Sequence, residues 1–150
     1  MRKMRNKSIL LGFIFALLLA SCSSNKKNEK PPMVREVVSY FSDSTTERVV
    51  WEHPQGSDSV ILVSHFYKNK QLQMQGNIVG GVRNGEWNAW DDQGQKLSTG
   101  HYVDGIENGL WTVWFPNGQK RYEGIFKDGK RVGIWSFYNK KGEKVKEIKY

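Results

Sequence analysis

The chain has 150 residues, enough for one domain with a tail, and a formal net charge of +8. Its single cysteine excludes an intramolecular disulfide framework and a multi-cysteine zinc site. A mean hydropathy of −0.62 excludes a polytopic membrane protein. The excess of positive charge alone points to a polyanion, but it is unevenly placed: residues 1–21 contribute +4, residues 22–35 contribute +3, and residues 36–150 only +1. Within that last part, residues 36–119 carry −5 and residues 120–150 carry +6.

Residues 1–21 read as a secretion signal. Arg2, Lys3, Arg5 and Lys7 form a positive start, and Ile9–Ala20 is an apolar run of 12 residues, too short to span about 30 Å of hydrocarbon as a helix. The run ends in Leu19-Ala20-Ser21-Cys22, which resembles the bacterial lipobox. That resemblance implies cleavage before Cys22 and attachment of diacylglycerol to its thiol, so Cys22 is the expected lipid-attachment residue and the membrane an expected partner. Several acyl chains on one residue give stable anchoring, each buried CH₂ contributing about 0.8 kcal/mol. Residues 22–35 begin Ser23-Ser24-Asn25-Lys26-Lys27, reach Pro31-Pro32, and read as a flexible tether. Ser23 in place of Asp, with no acidic run after Cys22, resembles the sorting pattern of an outer-membrane lipoprotein, with the domain facing the periplasm.

Residues 36–75 read as an N-terminal β cap. Glu36–Phe41, Arg48–Glu52 and Ser59–Tyr67 have strand composition, and His53-Pro54-Gln55-Gly56 reads as a turn. Val63 and Phe66 stand 24 residues before Trp87 and Trp90, so a degenerate repeat begins near residue 60.

Residues 76–150 hold a 24-residue repeat. Gly85, Gly109 and Gly133 are in phase, as are Trp87, Trp111 and Trp135, and Trp90, Trp114 and Tyr138. Twelve of the 15 glycines lie on this lattice, which coincidence does not produce. Each unit reads as a hairpin. Glu86–Asp91, Leu110–Phe115 and Ile134–Asn139 are first strands; Lys96–Val103, Lys120–Lys127 and Lys144–Tyr150 are return strands. Asn117-Gly118 is the strongest hairpin signal, because a type I′ turn needs positive φ at both central residues. Asp104-Gly105 and Asp128-Gly129 close the next turns, and a short connection to Gly109 or Gly133 feeds the following strand. Gly100 and Gly124 fall inside strands, where glycine marks close approach by a neighbouring ring or backbone, here the aromatic at the third position of each first strand, with a ligand slot as the alternative. The expected fold is all-β: an elongated antiparallel ladder of hairpins.

Alternation places Trp87, Trp111 and Trp135 on one face and Trp90, Trp114 and Tyr138 on the other. One row is core, and the second is a candidate surface for a peptide or sugar. The candidate binding residues are Trp90, Trp114 and Tyr138, with Lys120, Arg121, Lys130 and Arg131 supplying charge.

The units GEWNAWDDQGQKLSTGHYVDG, GLWTVWFPNGQKRYEGIFKDG and GIWSFYNKKGEKVKEIKY resemble the MORN-repeat variant over about residues 76–150. Bacterial proteins of this type are often grouped as YwqK-type antitoxins. The resemblance implies a binding role, with a partner toxin as one alternative, and brings no catalytic residues. The last unit departs from the pattern at Ile148, which replaces the strand glycine.

No enzyme signature accompanies these features. His53, His65 and His101 share no metal-ligand spacing, Asp91-Asp92 reads as a turn, and neither a nucleophile elbow nor a phosphate loop is present. No metal, other cofactor or catalytic residue is expected, and an envelope address makes nucleic acid an unsuitable partner. The expected function is a lipid-anchored envelope scaffold that binds a protein or glycan, an envelope hydrolase being the remaining alternative. An open ladder also has free edges, so edge-to-edge dimers are an expected association.

Overall fold

A computed structural model describes residues 30–57 and 59–150. The expected signal, Cys22 and most of the tether lie outside the described residues. Eleven antiparallel strands form one sheet: β1 (Met33–Tyr40), β2 (Glu47–Pro54), β3 (Val60–Phe66), β4 (Leu72–Val79), β5 (Val82–Trp90), β6 (Lys96–Val103), β7 (Ile106–Glu107), β8 (Gly109–Trp114), β9 (Lys120–Lys127), β10 (Lys130–Tyr138) and β11 (Lys144–Lys149). Spatial order follows chain order, the short β7 pairing with β6 off the main path. The described residues contain no helix long and apolar enough to cross a membrane. Strand β1 starts at Met33, three residues ahead of the expected cap.

The Asn117-Gly118 turn differs from the type I′ expectation. Asn117 does not have positive φ; only Gly118 does, at 80°. Gly118 N–H donates to Phe115 O at 2.9 Å and Phe115 N–H to Gln119 O at 2.8 Å. That is a type I turn closed by a glycine bulge, with the register shift at Trp114/Lys120 that such a bulge produces. Pro116 suits this geometry, because its ring fixes the negative φ a type I turn needs at its second residue, and the same hydrogen bonds recur without proline at Asp91–Gln95 and Asn139–Glu143. The paired positive φ values occur at the opposite end of the ladder, in Gly80-Gly81 (57°, 84°), Asp104-Gly105 (49°, 83°) and Asp128-Gly129 (49°, 74°).

The connection expected before each first strand is also different. Strands β5 and β10 run straight through Gly85 and Gly133, and only Asn108 interrupts the equivalent β7–β8. At these glycines the register slips: Asn77 pairs with Asn84 but Gly76 with Trp87, leaving Gly85 and Glu86 extra, and Val132/Ser136 shows the same slip. Positive φ at Gly85, Gly109 and Gly133 (76°, 98° and 68°) forms the bulge. Its consequence is packing. Each bulge carries the following tryptophan over the glycine of the preceding strand. A Cβ built on Gly76, Gly100 or Gly124 would stand 2.3, 2.2 and 2.2 Å from the rings of Trp87, Trp111 and Trp135.

Residues opposite one another across strands share a face, so register assigns the two faces of the sheet. The first is aromatic. Trp87, Tyr102, Trp111, Phe126, Trp135 and Tyr150 meet edge to face in succession, with ring centroids 6.5, 5.5, 5.6, 5.0 and 6.2 Å apart. Val63 takes the tryptophan position in the degenerate unit, paired with Gly76 and 2% exposed. It joins Trp87 and Tyr102 in the core, with Trp51, Ile61, Met74 and Ile78 packed around them.

Candidate binding surfaces

The tryptophan face is closed by its own chain. Trp135 is fully buried and Trp87 only 5% exposed, in a sheet with no second layer among the described residues. Glycine lies beneath each ring, aromatic edges lie on both sides of Trp111 and Trp135 and on one side of Trp87, and arginine covers Trp87 and Trp135. Arg83 stands 4.3 Å from the Trp87 ring and donates to the Tyr102 hydroxyl at 3.1 Å. Arg131 stands 4.6 Å from the Trp135 ring and donates to the Tyr150 hydroxyl at 3.0 Å. The indole N–H groups of Trp87 and Trp135 donate to Asn77 O and Ile125 O. Beside this spine a shallow groove of about 510 Å³ is lined by Leu97, Trp111, Trp114, Phe115, Arg121 and Tyr122, bringing the candidates Trp114 and Arg121 to one groove, with the Arg121 guanidinium 5.9 Å from the Phe115 ring.

The opposite face has two parts. Near the type I turns lie the candidate aromatics Trp90, Trp114 and Tyr138, all half-buried. Trp114 and Tyr138 are held by polar neighbours. The Lys96 ammonium stands 5.6 Å from the Trp114 ring centroid, and the Tyr138 hydroxyl donates to Glu123 Oε1 at 2.7 Å. Lys120 Nζ is 2.7 Å from Glu123 Oε2 and Lys144 Nζ 2.6 Å from Glu147 Oε1. The Lys120 contact, aided by the Tyr138 hydroxyl, holds the Glu123 carboxyl below its ordinary range. Thr112 and Ser136, on the same row, are buried.

Nearer the type I′ turns the same face is apolar and open. Val79 pairs with Val82, Val103 with Ile106, and Leu110 with Ile125. Val103, Ile106, Leu110, Ile125 and Ile134 are 43%, 49%, 58%, 49% and 58% exposed. A groove of about 500 Å³ beside Leu110 is lined by Glu86, His101, Val103 and Asn108. Sequence reasoning missed this band. Its signal lay in the 24-residue series Val79/Val103, Val82/Ile106 and Leu110/Ile134, which assigns these residues to one face once the glycine bulge is known.

The four candidate basic residues are not brought together. Neighbours in a regular strand point to opposite faces, as Lys130 and Arg131 do, whereas a register shift interrupts the alternation at Lys120 and Arg121. Lys120 faces the Trp90 row and is paired with Glu123, whereas Arg121 lies against Phe115. Lys130 flanks the apolar band, whereas Arg131 covers Trp135 on the aromatic face. At the cap end, Arg35, Glu47, Phe66 and Lys70 line a recess of about 420 Å³, with Arg35 and Glu47 ion-paired across it. Among the described residues, no cluster of His, Cys, Asp and Glu is placed to hold a metal.

No curated protein and no solved structure matches the chain. Residues 107–128, from β7 to the turn after β9, match the MORN repeat variant, which makes that unit a repeat of this kind within the all-β ladder.

Proposed function

We propose that the chain is a lipid-anchored scaffold of the bacterial cell envelope that binds a protein or glycan partner and performs no catalysis. The observation that carries this reading is the division of labour between the two faces. The aromatic face is consumed by packing, while the opposite face exposes a contiguous apolar band beside a half-buried aromatic row. Exposed apolar patches of this kind mark interaction surfaces. Cys22 supplies the anchor, residues 22–32 the reach, and the ladder a rigid surface whose length grows by one unit per 24 residues.

Crosslinking in intact cells tests the reading. A partner captured by the wild type is expected to be lost with Leu110→Asp or Trp114→Ala while the variant keeps its β spectrum and melting transition. Capture that survives both substitutions would remove the function from this face. If the captured partner is a toxin, the reading narrows to the antitoxin class that the YwqK resemblance implies.

A further inference from the structure

We propose that the apolar band docks an acidic, apolar polypeptide segment of a partner protein. This rests on the binding reading above and names the site and the chemistry. The band crosses the strands from Val79 on β4 to Ile134 on β10. With strands about 4.8 Å apart, that is a track of about 24 Å, matching about 16 helical or 7 extended residues.

Charge identifies the occupant. The face carries lysines in two rows. In the row beside Trp114 and Tyr138, Lys120 and Lys144 are each neutralised by a glutamate three residues on. Along the C-terminal margin of the apolar band stand Lys127, Lys130 and Lys149, placed on this face by their pairing with one another and with Ile134. These three make no ion pair among the described residues. Open apolar side chains bordered by uncompensated ammonium groups are complementary to a segment that joins Leu, Ile or Phe to Asp or Glu. The groove beside Leu110 favours a polypeptide over an anionic bilayer. It is a concavity, which the side chains of a segment can enter and a flat anionic surface does not fill.

The test is selection of displayed random 16-residue segments on the full chain. Selected segments are expected to be enriched in acidic residues next to large apolar ones. Leu110→Asp is expected to weaken them at least tenfold, with Ile134→Asp as the second variant should the first fail to fold. Reversing Lys127, Lys130 and Lys149 to glutamate is expected to turn the enrichment from acidic to basic. Segments without acidic bias, or ones indifferent to Leu110→Asp, overturn the proposal. Segments that depend on Trp114 but not on Leu110 overturn it too, yet leave the scaffold reading standing on the other part of the face. If no segment is selected and the same variants instead abolish co-sedimentation with phosphatidylglycerol vesicles, the band is a membrane surface and the proposal fails.

Discussion

Adding one methyl group at Gly100 is expected to unseat Trp111. The Cβ of Gly100→Ala would lie 2.2 Å from Trp111 Cε3, where ordinary contact begins at 3.4 Å, so the indole must retreat by more than an ångström. The ring has little room to do so, being held edge to face between Tyr102 at 5.5 Å and Phe126 at 5.6 Å. Overpacking costs about 1–3 kcal/mol and each loosened aromatic pair about 0.5–1.5, while alanine recovers about 0.5–1 over glycine in a strand, for a net loss of about 3 kcal/mol. Urea unfolding followed by tryptophan fluorescence measures it. In a Trp111→Leu background the same glycine substitution is expected to cost less than about 1 kcal/mol, because leucine has no ring to collide. Gly118→Ala is the contrast: nothing lies within 4 Å of its Cβ, and only the left-handed backbone is strained, at about 1–2 kcal/mol whatever stands at position 111. Equal penalties for Gly100→Ala in the two backgrounds would refute the account of strand glycines as seats for tryptophan.

Other outcomes follow from the same contacts. Arg131→Ala removes a guanidinium from the Trp135 and Tyr150 rings and is expected to lower stability by about 0.5–1 kcal/mol, with Arg131→Lys restoring only part because a compact ammonium does not stack as the planar fork does. Asp104→Gly is expected to be neutral or stabilising at φ 49°, whereas Asn117→Gly is expected to destabilise by about 0.5–1 kcal/mol; chemical denaturation of both variants checks the turn assignment, and the opposite signs would contradict it. The Asp43 carboxylate accepts the N–H groups of Thr45 and Thr46, which lower its pKa to about 2. A depressed carboxyl stabilises fully above its unfolded value near 3.8 and loses that contribution as pH falls through about 2, so the stability gap between wild type and Asp43→Asn is expected to close over that window in acid unfolding curves. Radiolabelled palmitate is expected to enter the wild-type protein and not Cys22→Ser; label in the variant would remove the basis for an envelope address.

The ladder was legible because its cause is periodic. A 24-residue recurrence of Gly and Trp, with strand composition between, leaves little but a hairpin array, and glycine inside Lys96–Val103 already implied a ring above it. Turn type was less legible because Asn-Gly suits two geometries. The three-residue loop that all the units share decides between them, and it shows only when the whole loop is considered. The bulges at Gly85, Gly109 and Gly133 were not legible as bulges. Glycine before a strand and glycine within one look alike in sequence, yet only the second slips register by two residues. The open band starts at that slip, with Leu110 and Ile134 immediately after the bulge glycine. The separation of Lys130 from Arg131 needed no structure, because alternation along a regular strand divides them. At Lys120 and Arg121 a register shift interrupts that alternation, and Lys120 reaches Glu123 three residues on, so their placement was not legible.

A single sheet is poorly suited to burying tryptophan, since nothing packs over it, and the solution here determines where function is available. Each ring is enclosed by parts of two neighbouring units: glycine from the strand before, aromatic edges beside it (on one side only at Trp87), and arginine at the positions of Arg83 and Arg131. Packing therefore couples each unit to the next, and the aromatic face has no large ring left for a ligand at Trp87 or Trp135. The middle unit departs from this scheme. Glu107 occupies the place of Arg83 and Arg131, so Trp111 lacks the guanidinium lid and remains half-buried between two grooves. Yet those grooves are backed by rings the core requires, so occupying them would disturb Tyr102 and Tyr122. The band on the reverse face has no such obligation. Leu110 and Ile134, each 58% exposed, stand on the face away from the aromatic spine, so these positions are open to change with little consequence for the fold.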